Sequence, residues 1–464
     1  MGQPAHGRQN VDRPSGFLIT IEVLLTHRGV TMPNTTQPLT ELLEYPLFQA
    51  IFGRRSRRFG LGLSILSGPL AFESDADPLP LSDLEQSVLV TAGTGVSGWH
   101  YGIPFGPHRP DEHTDFSVRL TGRTAPTAAG IGTPVLFYTD DDGTYLTNTR
   151  NVEPNRLREA MDLEDDVERI MAVARAHTEK LADERVDIPA ESGHILEPNH
   201  WWTNTPGSTL FMPVGDASEE MLALLCLFVE NGYVIMDDGL GNQAGDLEPY
   251  IESGLLDADK AFPLSFLERA TWEQNCAELA FMAHNMVLTM QAMGLGGLYF
   301  AGINELSLFG APMRDDLDGL GFRFVDNEDW TAPNPVGLDD RFEGLCPPYY
   351  PDMHAAVDEL VERKFGPGGT YDPSTSGPWK DSDAVKRSIE PYDEETVECL
   401  GEIAQYVYDK YGKFPGTVPT MVLPGCVQAH HIDTDYYDAH FKTGAYLETH
   451  AEHMQRWHKE ESLS

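Results

Sequence analysis

Residues 267–297, LERATWEQNCAELAFMAHNMVLTMQAMGLGG, read as one long helix that is nearly apolar on several faces and stops at a cluster of glycines. A helix of that length spans about 45 Å at about 1.5 Å per residue. The rest of the chain has to pack around it. It is therefore expected to be the central and most buried helix, with His284 as a hydrogen-bonded core histidine.

Other elements follow from local patterns. Apolar spacing over 39–56 predicts one or two helical segments interrupted by Pro46. Residues 81–95 predict a helix with Ser82 as N-cap, Glu85 at the capping-box position and Gly93 near its end. Residues 133–148 predict two strands joined by an Asp-Gly turn. An acidic amphipathic helix is expected over 156–185, a strand over 208–215, and helices over 217–236 and 391–416. From about residue 310 the chain turns loop-rich, and GPGGTYDPSTSGP, 366–378, reads as a hinge or excursion.

The 464 residues carry 73 acidic against 32 basic side chains, 23 Arg and 9 Lys, for a formal net charge of −41. Such a surface repels nucleic acid and anionic membrane, so neither is an expected partner; adaptation to a salty cytoplasm is the plain reading of the acidity. Five cysteines without CxxC spacing encode neither a disulfide framework nor a zinc knuckle, which suits a reduced, cytoplasmic protein. The apolar run 17–25 is too short to span a bilayer. Met32 reads as an alternative start, leaving 1–31 as an extension.

Against that acidity, IFGRRSRRFG, 51–60, gathers guanidinium forks around a hydroxyl: Arg54, Arg55, Ser56 and Arg58 are a set suited to a phosphate dianion. Downstream, Arg123, Pro126, Thr127 and Ala128 form a turn of small residues that lets backbone amides approach a flat ring, and Gly294, Leu295, Gly296 and Gly297 close the long helix. In this order the three segments resemble the flavin-dependent nitroreductase superfamily, most closely its azoline-dehydrogenase-like branch.

The resemblance implies an α+β fold, a nitroreductase-like central antiparallel sheet flanked by helices with a C-terminal helical extension. It divides the chain into a tail, 1–38, an FMN domain, 39–345, and an extension, 346–464. It implies FMN held by Arg54, Arg55, Ser56, Arg58, Arg123, Pro126, Thr127, Ala128, Gly294, Gly296 and Gly297. The implied activity passes hydride between NAD(P)H and a small organic acceptor of nitro, quinone or azoline type, in a homodimer. No side chain is assigned as catalytic, because the flavin itself carries such chemistry.

Six of the sixteen histidines fall in the last 35 residues. If this region is helical, His431 and Asp435 share one face and His450 and His453 another; with His430 they form a candidate set for Fe, Mn or Zn. His440 and His458 are out of phase with these pairs. Two alternatives to the flavoenzyme therefore stand: a metal-dependent oxidase or hydrolase using 430–453, and a non-catalytic flavin-binding protein.

Overall fold

The computed structural model describes residues 36–104, 117–150, 152, 172–190, 193–311, 317–328 and 330–458. Expectations placed on 1–31, and on most of the helix read over 156–185, lie outside these residues.

The expected hairpin forms from β1 (Val135–Asp140) and β2 (Gly143–Thr147). Asp140 Oδ1 accepts from the N–H groups of Asp142 and Gly143, at 2.9 and 3.0 Å, which fixes the turn. An edge strand, β3 (Thr178–Ala182), pairs with β2 and replaces the end of the expected 156–185 helix. Its Thr178 sits opposite Thr147 with hydroxyls 2.8 Å apart, a cross-strand partner that a helix would forgo. Strand β4 (Thr209–Asp216) pairs with β1 on the other side; β5 (Gly296–Phe300), β6 (Met421–Val422) and β7 (Cys426–His430) complete the sheet. Its order is β5-β7-β4-β1-β2-β3, with β6 added to the end of β4, and all these pairings are antiparallel.

Strand periodicity divides the core. Leu210, Met212 and Val214 face one side with Phe137, Leu298 and Phe322, whereas Phe211 faces the other with Leu136, Tyr138 and Val427. Pro46 separates α1 (Thr36–Glu44) from α2 (Leu47–Gly53) as expected. Next, α3 (Asp83–Thr94) starts from a Ser82–Glu85 capping box. On the Phe211 side, Leu89 and Val90 of α3 meet Met282, Met286 and Met290 of the long helix. Gly93 permits that approach, since a Cβ there would lie 2.9 Å from Met286 Sδ.

Helix α4 (Ala217–Glu230) follows β4, with Asp216 as its N-cap. It stops before the expected 236: Gly232 takes a φ of 76°, and Tyr233–Asp237, rich in β-branched and aromatic residues, forms a strand. The long helix is α5 (Leu264–Met293), ended by Gly294 at φ 91°. It is central but not the most buried: 14 of its 30 residues are buried, against 11 of 14 in α4. His284 is exposed, on the face of α5 turned away from the sheet, and not a core residue. Helices α6 (Met353–Phe365) and α7 (Glu394–Tyr411) pack with α4 in a separate apolar cluster. After β7 come three short helices, α8 (Thr434–His440), α9 (Glu448–Ala451) and α10 (His453–Trp457). Residues beyond 345 thus supply both peripheral helices and β7 in the sheet interior. Among the described residues no helix is long and apolar enough to cross a membrane.

Candidate metal centre

Glu85 lies in the first turn of α3 and is fully buried. Its Oε2 accepts from the Ser82 N–H and hydroxyl at 2.7 and 2.8 Å, the reciprocal half of the capping box, and this aims Oε1 at the C-terminal segment. Three imidazoles meet it there. His431, one residue beyond β7, brings Nε2 to 3.3 Å; His453, which opens α10, to 2.7 Å; His458, just past its end, to 3.2 Å. His458 Nε2 also lies 3.2 Å from His431 Nε2. One ligand atom from each residue falls within 4.8 Å of all the others, and all four residues are buried.

Hydrogen bonds on the far side of two rings fix their tautomers. His431 Nδ1 is 2.9 Å from the Leu79 carbonyl, and His453 Nδ1 is 2.8 Å from that of Met293. A carbonyl only accepts, so each Nδ1 carries the proton and, in the neutral ring, each Nε2 directs a lone pair at Glu85 Oε1. Such backbone partners are those that orient metal-bound imidazoles. Without an ion, Glu85 is held as a carboxylate only by imidazoles that carry a second proton on Nε2: burial raises its pKa, and the charge of His431 with hydrogen bonds from the three rings brings it well below the carboxylate range. Burial holds His453 below its ordinary value, with Glu85 acting in the opposite sense. An ionised carboxylate and a neutral imidazole are the protonation states a metal requires. Ligands about 2.1 Å from a tetrahedral ion lie about 3.4 Å apart; three of the four separations given above are close to that, and His453–Glu85, at 2.7 Å, is shorter.

Of the histidines and aspartate singled out in the sequence, the structure brings His431 and His453 together and leaves His430, Asp435 and His450 outside the cluster. Residues 426–430 form a strand rather than the helix that would align His431 with Asp435. Asp435 is exposed. His430 faces the opposite way, against Gly60 and Gly296, and burial lowers its pKa to about 4. His450 and His453 fall on separate helices, broken at Glu452, so they share no face; His450 Nδ1 accepts from the Leu447 N–H at 3.3 Å. Glu85 and His458 complete the set without having been expected in it. For Glu85 the available signal was the capping box, which fixes its side chain but not what lies opposite.

The expected flavin segments assemble in part. Arg57 forms an isolated bridge with Gly297, whose N–H donates to the Arg57 carbonyl at 2.7 Å, so the arginine segment meets the glycine corner. Here Arg57 is the buried arginine; Arg54, Arg55 and Ser56 are exposed, and Arg58 lies half-buried, 5.5 Å from the Trp202 ring centroid. Arg57 bonds the Gln291 side chain and the Ala445 carbonyl, at 2.7 and 2.9 Å, and burial lowers its pKa to about 10. Arg55, Ser56 and Arg58 line a cleft of about 420 Å³ with Trp201, Tyr436 and Phe441.

The Pro126–Thr127 bend lies elsewhere, at Met282, with the Ala128 N–H donating to Glu278 at 3.1 Å. At 3.6 residues per turn Met282 lies about 180° around α5 from Gln291. Arg123 binds Thr149 on the bend's side of α5, and burial lowers its pKa to about 9. Gly294, Gly296 and Gly297 are buried at the far corner.

No family model and no curated protein matches the chain. Among solved structures, a crystal structure of a "putative nitroreductase" from Ralstonia eutropha JMP134 is similar at 15% identity, covering 56% of this chain and 71% of that one, with a TM-score of 0.25. A likeness of that size leaves the site to be read from its own geometry.

Proposed function

We propose that the protein is a metal-dependent enzyme, an oxidase or hydrolase, whose ion, Fe, Mn or Zn, is held by Glu85, His431, His453 and His458. The observation that carries this reading is the convergence of the three Nε2 atoms on Glu85 Oε1 with two tautomers set by backbone carbonyls. Lone pairs crowded in a dry site need a proton or a metal cation between them, and four ligand atoms meeting at one point suit the metal. Structural zinc sites are rich in cysteine, whereas three imidazoles and a carboxylate form a harder set, suited to iron, manganese or catalytic zinc. The bound ion supplies Lewis-acid or redox chemistry. The chain's own part is to hold four ligands in fixed rotamers, keep two imidazoles in one tautomer and exclude bulk water.

Metal analysis of the purified full chain tests this. About one equivalent of Fe, Mn or Zn per chain is expected, with at least tenfold lower affinity in Glu85→Gln, which can keep the Ser82 cap, and in His458→Ala. Wild-type protein that takes up none of the three ions on reconstitution, or variants that bind as tightly, would refute it.

A second reading, an FMN-dependent oxidoreductase using NAD(P)H, is favoured by the cleft of Arg55, Ser56 and Arg58 beside aromatic rings and the glycine corner. Flavin absorption in the purified protein that disappears in Arg58→Ala would support it, and colourless protein that takes up no added FMN would end it.

A further inference from the structure

The glycine-rich stretch 366–378, read from sequence as a hinge or excursion, contributes to a second cavity, of about 330 Å³, lined by none of the metal-site residues. Four cationic side chains reach its wall: Arg119, Arg150, Arg363 at the end of α6, and Lys386. In a chain with only nine lysines and a net charge of −41 that convergence is local and built. The forks are held from behind. Arg119 Nη2 bonds Glu219 at 2.7 Å and its Nη1 the Ile131 carbonyl at 2.9 Å; Arg150 Nη2 bonds Asp216 at 3.1 Å and also Glu219. Asp216 and Glu219 are fully buried at the start of α4 and absent from the cavity wall. Arg150 Nε, buried, has no hydrogen-bond partner among the described residues. Arg363 is fixed by Glu359 at 2.7 Å.

The loop is drawn over these groups by specific bonds. Lys386 Nζ binds the Ser376 carbonyl at 3.0 Å and the Thr375 hydroxyl, and the Thr370 hydroxyl donates to the Val118 carbonyl. This leaves Gly368, Gly369, Thr375 and Ser376 on the wall. The lining also includes the apolar side chains of Trp99, Val118 and Val152. Glu362 is the one acidic residue among the lining residues and is exposed. Burial holds the Arg119 guanidinium below its ordinary pKa even with Glu219 in contact, and Arg150 and Arg363 push it the same way; at Arg363 burial is outweighed by Glu219 and Glu359, which raise it.

We infer that this cavity binds a small phosphorylated molecule, its phosphoryl oxygens on the guanidiniums of Arg150 and Arg363 and its apolar part against Trp99, Val118 and Val152. Guanidinium forks suit the bidentate geometry of phosphoryl oxygens. A pocket of local positive charge also offsets the repulsion that the acidic surface imposes on an arriving anion.

Phenyl phosphate is the probe, titrated calorimetrically into the full chain at fixed ionic strength, with phenol and inorganic phosphate as its two halves. Saturable one-to-one binding of phenyl phosphate is expected, tighter than either half, weakened at least tenfold in Arg363→Gln and partly restored in Arg363→Lys. Arg387→Gln, an exposed arginine outside the lining, should bind as wild type. Absence of saturable binding, or equal binding by Arg363→Gln and Arg387→Gln, overturns the inference. If Arg363→Gln does not fold, Trp99→Ala decides: phenyl phosphate affinity must fall while that for inorganic phosphate holds.

Discussion

Glu85 divides its carboxylate between a helix cap and a cluster of imidazoles, and Glu278 is another buried carboxyl whose surroundings define its behaviour. One Glu278 oxygen accepts from the Ala128 N–H at 3.1 Å, while the other, like both oxygens of Glu220, has no hydrogen-bond partner among the described residues. Burial raises both groups; Glu278 rises to about 7, and for Glu220 the neighbouring Glu278 adds to the effect. Because the folded value of Glu278 exceeds its ordinary 4.5, its contribution to stability is complete below that pH and is lost as the pH rises toward 7. Replacing Glu278 by Gln should flatten this dependence. Urea unfolding at pH 5 and pH 8 should show the variant gaining on wild type by on the order of 1 kcal/mol per pH unit across the window. A difference that stays constant between the two pH values would show that Glu278 does not titrate as described.

At the level of elements, residues 445–453 lie against the C-terminal end of α5 and the arginine segment beside it. Arg57 reaches the Ala445 carbonyl, the Thr449 hydroxyl donates to the Gln291 carbonyl at 2.9 Å, and His453 bonds the Met293 carbonyl. The glycine corner makes this possible. A Cβ on Gly294 would lie 2.1 Å from the Thr449 carbonyl oxygen, and one on Gly297, at φ 118°, 1.8 Å from that of Gln428. These glycines are therefore structurally required whatever else they bind. Gly297→Ala should cost at least about 1–3 kcal/mol from backbone strain alone, read as a lower urea midpoint. The same change should weaken metal uptake, because β5 pairs with the strand that leads into His431. Wild-type stability in this variant would contradict the close approach.

Across the whole molecule, charge outweighs any single contact. A net −41 on 464 residues makes the folded chain repel itself, and salt screens that repulsion. The thermal midpoint should rise steadily as KCl is raised from about 0.05 to about 2 M, as the screening length shortens; a midpoint independent of salt would show that local pairs such as Arg185–Asp141 already compensate the surface. Local sequence was enough for the features that a few neighbouring residues can decide: the break at Pro46, the Ser82–Glu85 cap, the Asp140–Gly143 turn and the stop at Gly294 each depend on groups within one turn of the chain. Residues 426–430 were beyond that reach, because pairing with β5 and β4, not local spacing, makes them a strand and turns His430 away from His431. The metal cluster was beyond it for the same reason. Glu85 and His431 stand 346 residues apart, and only the packing of α3 and the tail over the sheet brings a helix cap and three histidines to one point.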